Sequence, residues 1–259
     1  MQIATVTLHA APVRRSNGHA GHARSDDDAS RNPMRCSACN LRDLCLPGGL
    51  AAEGAPAFSD AAYTRKRVKR GDTLYRCGEE FSAIYAVRTG FFKASLVLED
   101  GRDQVTGFHM AGELVGMDGI GTDRHASDLI ALEDSEVCII PYAGLEEAGM
   151  QRQLHKAMSR ELVRDQGIMM LLGTMRAEER LAAFLLNLSQ RFVARGFSHS
   201  EFHLRMTREE IGSYLGLSLE TVSRLFSRFQ EEGLIAVQQK HIVIHDIAGL
   251  KSVMVKSTD

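Results

Sequence analysis

Three cysteines near the N-terminus are the residues best suited to metal chemistry. Cys36, Cys39 and Cys45 are spaced C-x2-C-x5-C, and their polar neighbours argue against a role as buried apolar side chains. Several soft thiolates in one short segment are typical ligands of zinc or of an iron–sulfur cluster. A tetrahedral thiolate site needs a fourth ligand, for which Cys77, Cys138 and the histidines are candidates. The spacing alone does not identify the fourth ligand among these candidates. It also does not distinguish zinc from an iron–sulfur cluster.

A candidate DNA-reading helix lies near the C-terminus. Its apolar residues recur at i, i+3, i+4 and i+7 and form one stripe, made of Val222, Leu225, Phe226 and Phe229. The other face carries Glu220, Ser223 and Arg224. We expect these three to contact base edges, because Arg pairs with guanine and Glu accepts from the cytosine amino group. Arg205 and Arg208 are expected to contact phosphates, which orients a helix without reading sequence.

The elements around this helix are typical of a winged helix-turn-helix. Residues 207–210 fit a capping box that starts a first helix, Gly216 suits a tight turn, and Ser218 suits the cap of the second helix. Two apolar runs at 234–237 and 242–244 predict a small β-hairpin, the wing. An ordinary helical hairpin with a solvated charged face is the alternative. The four signals in this order favour DNA binding.

The middle of the chain predicts an antiparallel β domain followed by a long helix. Short apolar runs separated by glycine-containing breaks fill residues 65–142 and indicate an antiparallel barrel or sandwich. The runs lie at 84–87, 91–98, 105–108, 129–132 and 137–140. A helix is predicted over 143–176, and a second one from 177 to 195, with Gly196 as its C-cap.

The long helix carries a heptad-like seam. Its positions are spaced four, three, four and three residues apart, at Met158, Leu162, Asp165, Met169 and Leu172. Packing of this helix on its own barrel is the competing interpretation. Asp165 favours a dimer interface that is conditional, because two carboxylates would meet across a two-fold axis at a cost.

The composition fits a two-domain protein of the cytoplasm. With 259 residues, 44% of them hydrophobic, the chain is long enough for two units with real cores. It has neither an apolar run of membrane-spanning length nor a cleavable signal, and five cysteines in such a protein indicate metal or redox chemistry rather than disulfides. A net charge of −2 lowers the expectation of a nucleic-acid partner but leaves room for a local basic patch. The sequence contains no nucleophile–base pair or phosphate loop that would indicate an enzyme.

Three long stretches of the sequence resemble the Crp/Fnr regulators, and specifically the Fnr branch. They are TGFHMAGELVGMDGIG at 106–121, AEERLAAFLLNLSQRF at 177–192 and MTREEIGSYLGLSLETVSRLFSRFQ at 206–230. The resemblance implies an α+β fold with a cyclic-nucleotide-binding-like β-roll, a long dimerisation helix and a winged helix-turn-helix. The implied division is a disordered extension at 1–33, a cysteine loop and β-roll at 34–142, a dimerisation helix at 143–176 and a DNA-binding domain at 177–259.

The resemblance also implies roles for individual residues. Cys36, Cys39, Cys45 and Cys138 match the ligands of an oxygen-labile 4Fe–4S cluster, whereas Cys77 has no counterpart. Met158, Leu162, Asp165 and Met169 match the dimer helix, and Glu220, Ser223 and Arg224 match residues that read a TTGAT-like half-site of a palindrome. The loop at 99–102 matches a contact with RNA polymerase, although Arg102 replaces an acidic residue there.

These roles together predict an anaerobic transcription activator. The intact cluster would favour a homodimer that binds double-stranded DNA, and oxygen would reverse this. Two alternatives use the same fold. One is a receptor for a cyclic nucleotide, although residues 123–128, with Arg124 and Ser127, do not reproduce the family's phosphate cassette. The other is a zinc-stabilised regulator that is insensitive to oxygen.

Overall fold

The computed structural model describes residues 39, 41, 45, 64–97, 103–147 and 151–255. The predicted N-terminal extension, Cys36 and the loop at 99–102 lie outside these residues.

Two four-stranded antiparallel sheets form the first unit of the described chain, in the orders β1-β8-β3-β6 and β2-β7-β4-β5. The strands are β1 (Arg65–Val68), β2 (Thr73–Tyr75), β3 (Ala83–Thr89), β4 (Phe91–Val97), β5 (Asp103–Met110), β6 (Leu114–Val115), β7 (Asp128–Ala131) and β8 (Ser135–Pro141). A short 3-10 helix spans Met117–Gly119. All five predicted runs are strands. The sequence pattern missed β1, β2 and β6, because two of them are very short and β1, RKRV, is mostly charged.

Alternation along β3 shows how the β unit is layered. Tyr85 and Val87 face a core between the two sheets, to which β4 contributes the fully buried Phe92. Ile84 and Ala86 point the other way, because side chains of a strand alternate between its two faces. That second face packs under the helices that follow β8. The first sheet therefore has a buried outer side as well as a buried inner side.

Six helices and three more strands complete the described chain. The helices are α1 (Tyr142–Glu147), α2 (Gln151–Thr174), α3 (Ala177–Val193), α4 (Arg208–Leu215), α5 (Leu219–Glu231) and α6 (Ile247–Val253). The strands β9 (Glu201–His203), β10 (Ile235–Gln238) and β11 (His241–Ile244) form a sheet in the order β10-β11-β9. The helix predicted over 143–176 corresponds to α1 and α2, on either side of residues 148–150. In the described chain, no helix is long and apolar enough to cross a membrane.

The helix α3 joins the β unit to the C-terminal unit. Its predicted apolar stripe is buried, with Leu181 and Leu185 fully enclosed. One continuous hydrophobic cluster contains this stripe, Phe108 of β5 and Phe226 of α5. The helix ends at Val193 with Ala194 as its C-cap, so the prediction of Gly196 as the C-cap is wrong by two residues; Gly196 lies in the turn that follows, with a positive φ of 80°. The two units therefore share one apolar core across α3.

Candidate DNA interface and cysteine site

The predicted capping box starts α4. The Thr207 hydroxyl accepts a hydrogen bond from the Glu210 N–H at 3.1 Å, and the Glu210 carboxylate accepts one from the Thr207 N–H at 2.7 Å. The helix ends at Gly216, which has φ 64° and ψ 40°, and Ser218 then caps α5 by accepting from the Thr221 N–H at 3.2 Å. These local predictions are confirmed, and they fix the angle at which α5 leaves the turn.

Gly212 is a residue that sequence analysis missed. A Cβ atom built there would lie 2.5 Å from the carbonyl oxygen of Leu217, so a larger residue would push α4 away from the turn that follows it. The Leu217 N–H also donates to the Gly212 carbonyl at 2.9 Å. Gly212 thus allows α4 and the start of α5 to approach closely. A glycine inside a predicted helix was the available signal.

The helix α5 buries one stripe and exposes the predicted base-reading residues. Val222, Phe226 and Phe229 are buried and Leu225 is half-buried, whereas Glu220, Ser223 and Arg224 are all exposed. Hydrogen bonds from the Glu220 backbone N–H and the Ser218 hydroxyl lower the pKa of Glu220, and Arg224 adds to the effect. Glu220 is therefore an acceptor at neutral pH, as a contact with a cytosine amino group requires.

The two predicted phosphate contacts differ in their surroundings. Arg205 is exposed, and its Nε lies 2.9 Å from a carboxylate oxygen of Glu133 in the β7–β8 turn. Arg208 is half-buried, with its guanidinium carbon 3.2 Å from the centroid of the Phe226 ring. Burial lowers the pKa of Arg208 to about 10, and in the described part of the chain its Nη1 has no hydrogen-bond partner. A phosphate contact by Arg208 requires its side chain to rotate away from Phe226.

The predicted wing is present and has a third strand. The strands β10 and β11 pair from Ile235–Ile244 to Gln238–His241, and Gln239 takes a positive φ of 57° in the turn between them. The strand β9, which sequence analysis missed, pairs with β11 on its other side. It has only three residues and one buried side chain, Phe202, so its pattern is too short to predict.

The helix α2 has one face on its own chain and another that is uncovered in the single chain. Leu154 and Leu171 are buried by their own chain. Three predicted seam residues are well exposed, with exposed fractions of 39% for Met158, 59% for Leu162 and 65% for Met169. Asp165 is exposed among them. The helix therefore packs on its own barrel along one face and leaves the predicted seam residues exposed along another, while the dimer interface stays a prediction.

Two further features of α2 were not predicted. Val163 and Met170 add to its exposed apolar surface, with exposed fractions of 64% and 58%. Leu172, the last position of the predicted seam, is half-buried and packs against the core of its own chain. The uncovered seam therefore ends before the C-terminus of the helix.

The described cysteines of the predicted ligand set lie near one another. Cys45 and Cys138 are both half-buried and pack against one apolar cluster, which contains Ile84, Ile140 and Leu154. Burial raises the pKa of the Cys138 thiol, and the charge of a nearby Cys39 thiolate raises it further, while Arg65 and Arg88 oppose the shift. Cys138 lies on β8 and faces outward from the sheet. The long-range pairing of β8 with its neighbouring strands therefore places this cysteine beside the cluster.

The chemistry of these cysteines fits a group that is bound by thiolates. Cys45 and Cys138 are soft donors at the edge of an apolar cluster, Cys39 lies close enough to Cys138 to interact with it electrostatically, and Arg65 and Arg88 lie where they offset the charge of thiolates. Among the residues that the structure describes, no group of three or more His, Cys, Asp or Glu side chains is arranged to hold a metal ion. Cys36 lies outside those residues. Cys77 is exposed, and its backbone N–H donates to Asp128 at 2.7 Å.

The segment considered for a cyclic-nucleotide phosphate is engaged with its own chain. The Arg124 guanidinium donates to the Gly78 carbonyl at 2.7 Å. The Ser127 hydroxyl donates to Asp118 at 2.9 Å, and the buried His125 ring stacks on Tyr75 with 3.7 Å between centroids. These contacts use the groups that a phosphate would need, so the geometry does not favour that alternative.

Charged side chains from three elements meet at Glu113, between β5 and β6. Arg191 of α3 and Arg195, two residues beyond the end of α3, approach its carboxylate at 2.8 and 2.6 Å, and Arg164 of α2 approaches it at 3.4 Å. Burial alone would raise the pKa of Glu113, but these guanidinium groups outweigh it and the pKa lies below its usual value. We call this set the Glu113 junction. It connects the β unit, α2 and the C-terminal end of α3.

Comparison with known proteins identifies the family. A family model described as the cyclic nucleotide-binding domain matches residues 65–152, and one described as the Crp-like helix-turn-helix domain matches residues 179–253. The chain is 46% identical over 230 residues to the transcriptional regulatory protein btr of Bordetella pertussis, which covers 87% of this chain and 95% of that protein. The chain belongs to the Crp/Fnr family of transcription regulators.

Other members of the Crp/Fnr family agree with this assignment. The chain is 45% identical to the transcriptional activator protein FnrA of Stutzerimonas stutzeri, over 85% of this chain and 93% of that protein. It is 43% identical to the fumarate and nitrate reduction regulatory protein of Escherichia coli K12, over 82% of this chain and 87% of that protein. The solved structure of FixK2 from Bradyrhizobium japonicum has 30% identity and a TM-score of 0.69, covering 74% of this chain and 98% of that one.

Membership in the Crp/Fnr family confirms several predictions. The α+β architecture, with a cyclic-nucleotide-binding-like domain before a helix-turn-helix, is confirmed. The chain is a DNA-binding transcription regulator, and its relatives are named as regulators and activators rather than enzymes. The domain limits and the roles of individual residues remain predictions.

Proposed function

We propose that this chain is a cytoplasmic, oxygen-responsive transcription activator that binds a palindromic, TTGAT-like operator as a homodimer. Cys36, Cys39, Cys45 and Cys138 would hold a 4Fe–4S cluster. One observation carries the proposal: Cys45 and Cys138 pack against the same apolar cluster as Leu154 of the dimer helix α2. The names of the Fnr-type relatives support it. A contact with RNA polymerase through residues 99–102 is part of the same proposal.

The cysteines act on α2 through packing. When bound, a 4Fe–4S cluster supplies a group that molecular oxygen can oxidise. Ligation by four thiolates ties the segment that contains Cys45 to Cys138 on β8. Leu154 is buried in the same cluster and Ala157 packs against it, so fixing the cysteine segment also fixes the N-terminal part of α2.

The seam of α2 makes association conditional. Leu162 and Met169 favour a dimer because their exposed apolar surface would be buried in it. Asp165 opposes the dimer, because two carboxylates would approach each other across the two-fold axis. With these terms nearly balanced, a coupling of about 1–3 kcal/mol from the cysteine site is enough to shift the equilibrium.

A dimer would present two copies of α5 to DNA. Glu220, Ser223 and Arg224 would contact base edges in each half-site, with half-sites separated by about 34–36 Å, one helical turn of DNA. Arg205, and Arg208 after a side-chain rotation, would contact phosphates. Binding by two half-sites explains why a change in α2 would control DNA binding without altering α5 itself.

The Asp165→Ala variant tests the link between the seam and oxygen. Removing the carboxylate should give a chain that sediments as a dimer in air, where the wild-type chain sediments as a monomer. Asp165→Asn should act in the same direction, because it removes the charge and keeps the shape. Gln166→Ala is the control, since Gln166 is exposed outside the four-three spacing. An Asp165→Ala chain that stays monomeric in air would show that the seam does not limit dimerisation.

A further inference from the structure

Arg180, in the first turns of α3, joins three backbone carbonyls from different parts of the fold. Its Nη2 donates to the Leu172 carbonyl in the last turn of α2 at 2.7 Å, and its Nε donates to the Met175 carbonyl at 2.9 Å. Its Nη1 donates to the Leu215 carbonyl at the end of α4, at 3.0 Å. One side chain therefore connects the end of the dimer helix to the end of the first helix of the DNA reader.

The Leu172 carbonyl that Arg180 contacts lies in the last turn of α2 and is not paired with the N–H four residues later. The last carbonyls of a helix have no intrahelical donor, and the C-terminus of a helix favours a positive charge. The N–H of Arg176, which stands four residues after Leu172, donates to the Glu179 carboxylate at 2.9 Å instead. A planar guanidinium can reach several acceptors in fixed directions, which a lysine ammonium cannot do with the same geometry.

The turn between α4 and α5 lies directly against this contact. A Cβ atom built on Gly216 would lie 3.4 Å from the Arg180 Nη1 and 3.5 Å from the Leu172 Cδ2. Gly216 is the residue with positive φ that ends α4, and Ser218, two residues later, caps α5. The end of α2 and Arg180 are therefore in contact with the turn that precedes α5.

We propose that Arg180 is a positioning residue that fixes each DNA reader relative to the dimer helix. It would set the distance and angle between the two copies of α5, and so the operator spacing that the dimer accepts. In this role it contacts neither DNA nor the cysteine site. The part of the proposal that concerns operator spacing rests on the proposed dimer, whereas the link between α2 and the turn belongs to each single chain.

The experiment compares Arg180→Lys with wild-type protein on three DNAs under anaerobic conditions. Arg180→Lys keeps the charge and removes the fork. We expect it to bind the full palindrome about tenfold more weakly, the size expected for one hydrogen bond from a charged group. Binding to a single half-site should change less than about twofold, a small fraction of such a bond. The variant should also discriminate less strongly than the wild type against a palindrome with one base pair added between its half-sites. Arg176→Lys, the same change at an exposed neighbour, is the control.

A second measurement tests the link without a dimer or DNA. Amide hydrogen exchange in the full-length chain should become faster in Arg180→Lys at both Met175 and Leu217, whose N–H groups are bonded to Leu171 and Gly212 in the wild type. Equal loss on half-site and palindrome, or no loss on either, would overturn the role in spacing. Faster exchange at one amide alone, or at neither, would overturn the link. If wild type itself shows no preference for the palindrome, the proposed dimer fails, and hydrogen exchange still decides on the link.

Discussion

The DNA reader and the cysteine site differ in how the chain builds them. The reader is assembled from neighbours in sequence: Thr207 caps α4, Gly216 ends it and Ser218 caps α5. The cysteine site joins an N-terminal segment to Cys138 on β8, and both pack on a helix that follows in the chain. Local hydrogen-bonding rules therefore determine the first region, whereas sheet topology determines the second. The first can therefore be altered without the second.

The largest effect should come from a cysteine change that reaches both regions. Under anaerobic conditions, Cys138→Ser should lose the visible absorption of the bound cluster, because a serine hydroxyl is a poor replacement for a soft thiolate. Operator affinity should then fall by about 10³-fold or more, to the non-specific level, because the dimer is lost. Absorption spectroscopy and fluorescence anisotropy measure the two effects.

Cys77→Ser is the matched control for this prediction. Cys77 is exposed and contacts Asp128 through its backbone, so its side chain is expected to be dispensable. Both the absorption and the operator affinity should match those of the wild type. If Cys77→Ser removes the absorption and Cys138→Ser does not, the assignment of the fourth ligand is wrong.

A change in the reader should affect DNA alone. Arg224→Ala should lower operator affinity by about 1–3 kcal/mol per half-site and should remove discrimination at one base pair, with the visible spectrum unchanged. Ser227→Ala is the control on the same helix, because the Ser227 hydroxyl donates to the Ser223 carbonyl of its own chain at 3.3 Å. A competition assay over all single-base operator variants measures both quantities. An equal loss of affinity for every operator variant would indicate that Arg224 contacts a phosphate instead of a base.

The same asymmetry explains what the sequence could predict. The caps at Thr207 and Ser218 and the stripe on α5 follow from side chains within one or two helical turns, and the sequence pattern identified them all. It identified the C-x2-C-x5-C run but left the fourth ligand open, because only the strand pairing of β8 directs Cys138 toward that segment. The resemblance to the Crp/Fnr family supplied that ligand.

Contacts across the interior were beyond the reach of the sequence pattern. Arg180 and Glu113 stand in stretches whose composition suits a solvated helix face or a turn, and nothing local marks them as partners of distant groups. Arg208 was predicted to contact a phosphate, but its head group lies over Phe226. A charged side chain can extend into solvent or pack its head group against the interior, and only tertiary packing determines which of the two occurs.

The Glu113 junction joins the β unit to α2 and to the C-terminal end of α3, so its loss should affect stability. Glu113→Gln removes the charge that Arg191 and Arg195 approach at 2.8 and 2.6 Å and leaves those guanidinium groups partly buried. We expect a loss of about 3 kcal/mol in the free energy of unfolding at pH 7, measured by urea denaturation. Glu201→Gln, at an exposed carboxylate, should cost less than about 1 kcal/mol. A loss at Glu113 no larger than that at Glu201 would mean that the junction does not hold the units together.

The same junction predicts the acid dependence of stability. The pKa of Glu113 is lowered in the folded state, so its contribution is full above the usual carboxyl range and is lost as the pH falls through the lowered value. His109 acts in the same direction, because burial, followed by the nearby Arg164, lowers its pKa from 6.5 to about 3. The free energy of unfolding should therefore fall as the pH drops below 6.5. Below pH 4.5 it should fall less steeply in Glu113→Gln than in the wild type. Identical slopes in both proteins would contradict the assignment to Glu113.

The smallest effect should come from the ion pair between the units. Glu133→Gln frees Arg205 from its partner at 2.9 Å and should raise operator affinity by no more than about fivefold at low salt, because both side chains are partly exposed. Arg205→Gln should weaken binding to every sequence and reduce the salt dependence by roughly one phosphate contact per half-site. The double variant should equal Arg205→Gln alone. An additive effect of Glu133→Gln would show that it acts elsewhere.

The central claim is that the cysteine site controls the reader through the dimer helix. The most direct test admits air to one anaerobic sample while absorption, sedimentation and operator binding are followed together. We predict that colour, dimer and operator binding are lost with one time course in the wild type, and that Asp165→Ala loses the colour but keeps the dimer and the binding. Colourless protein with stoichiometric zinc, or wild-type binding that persists after the colour is gone, would contradict it.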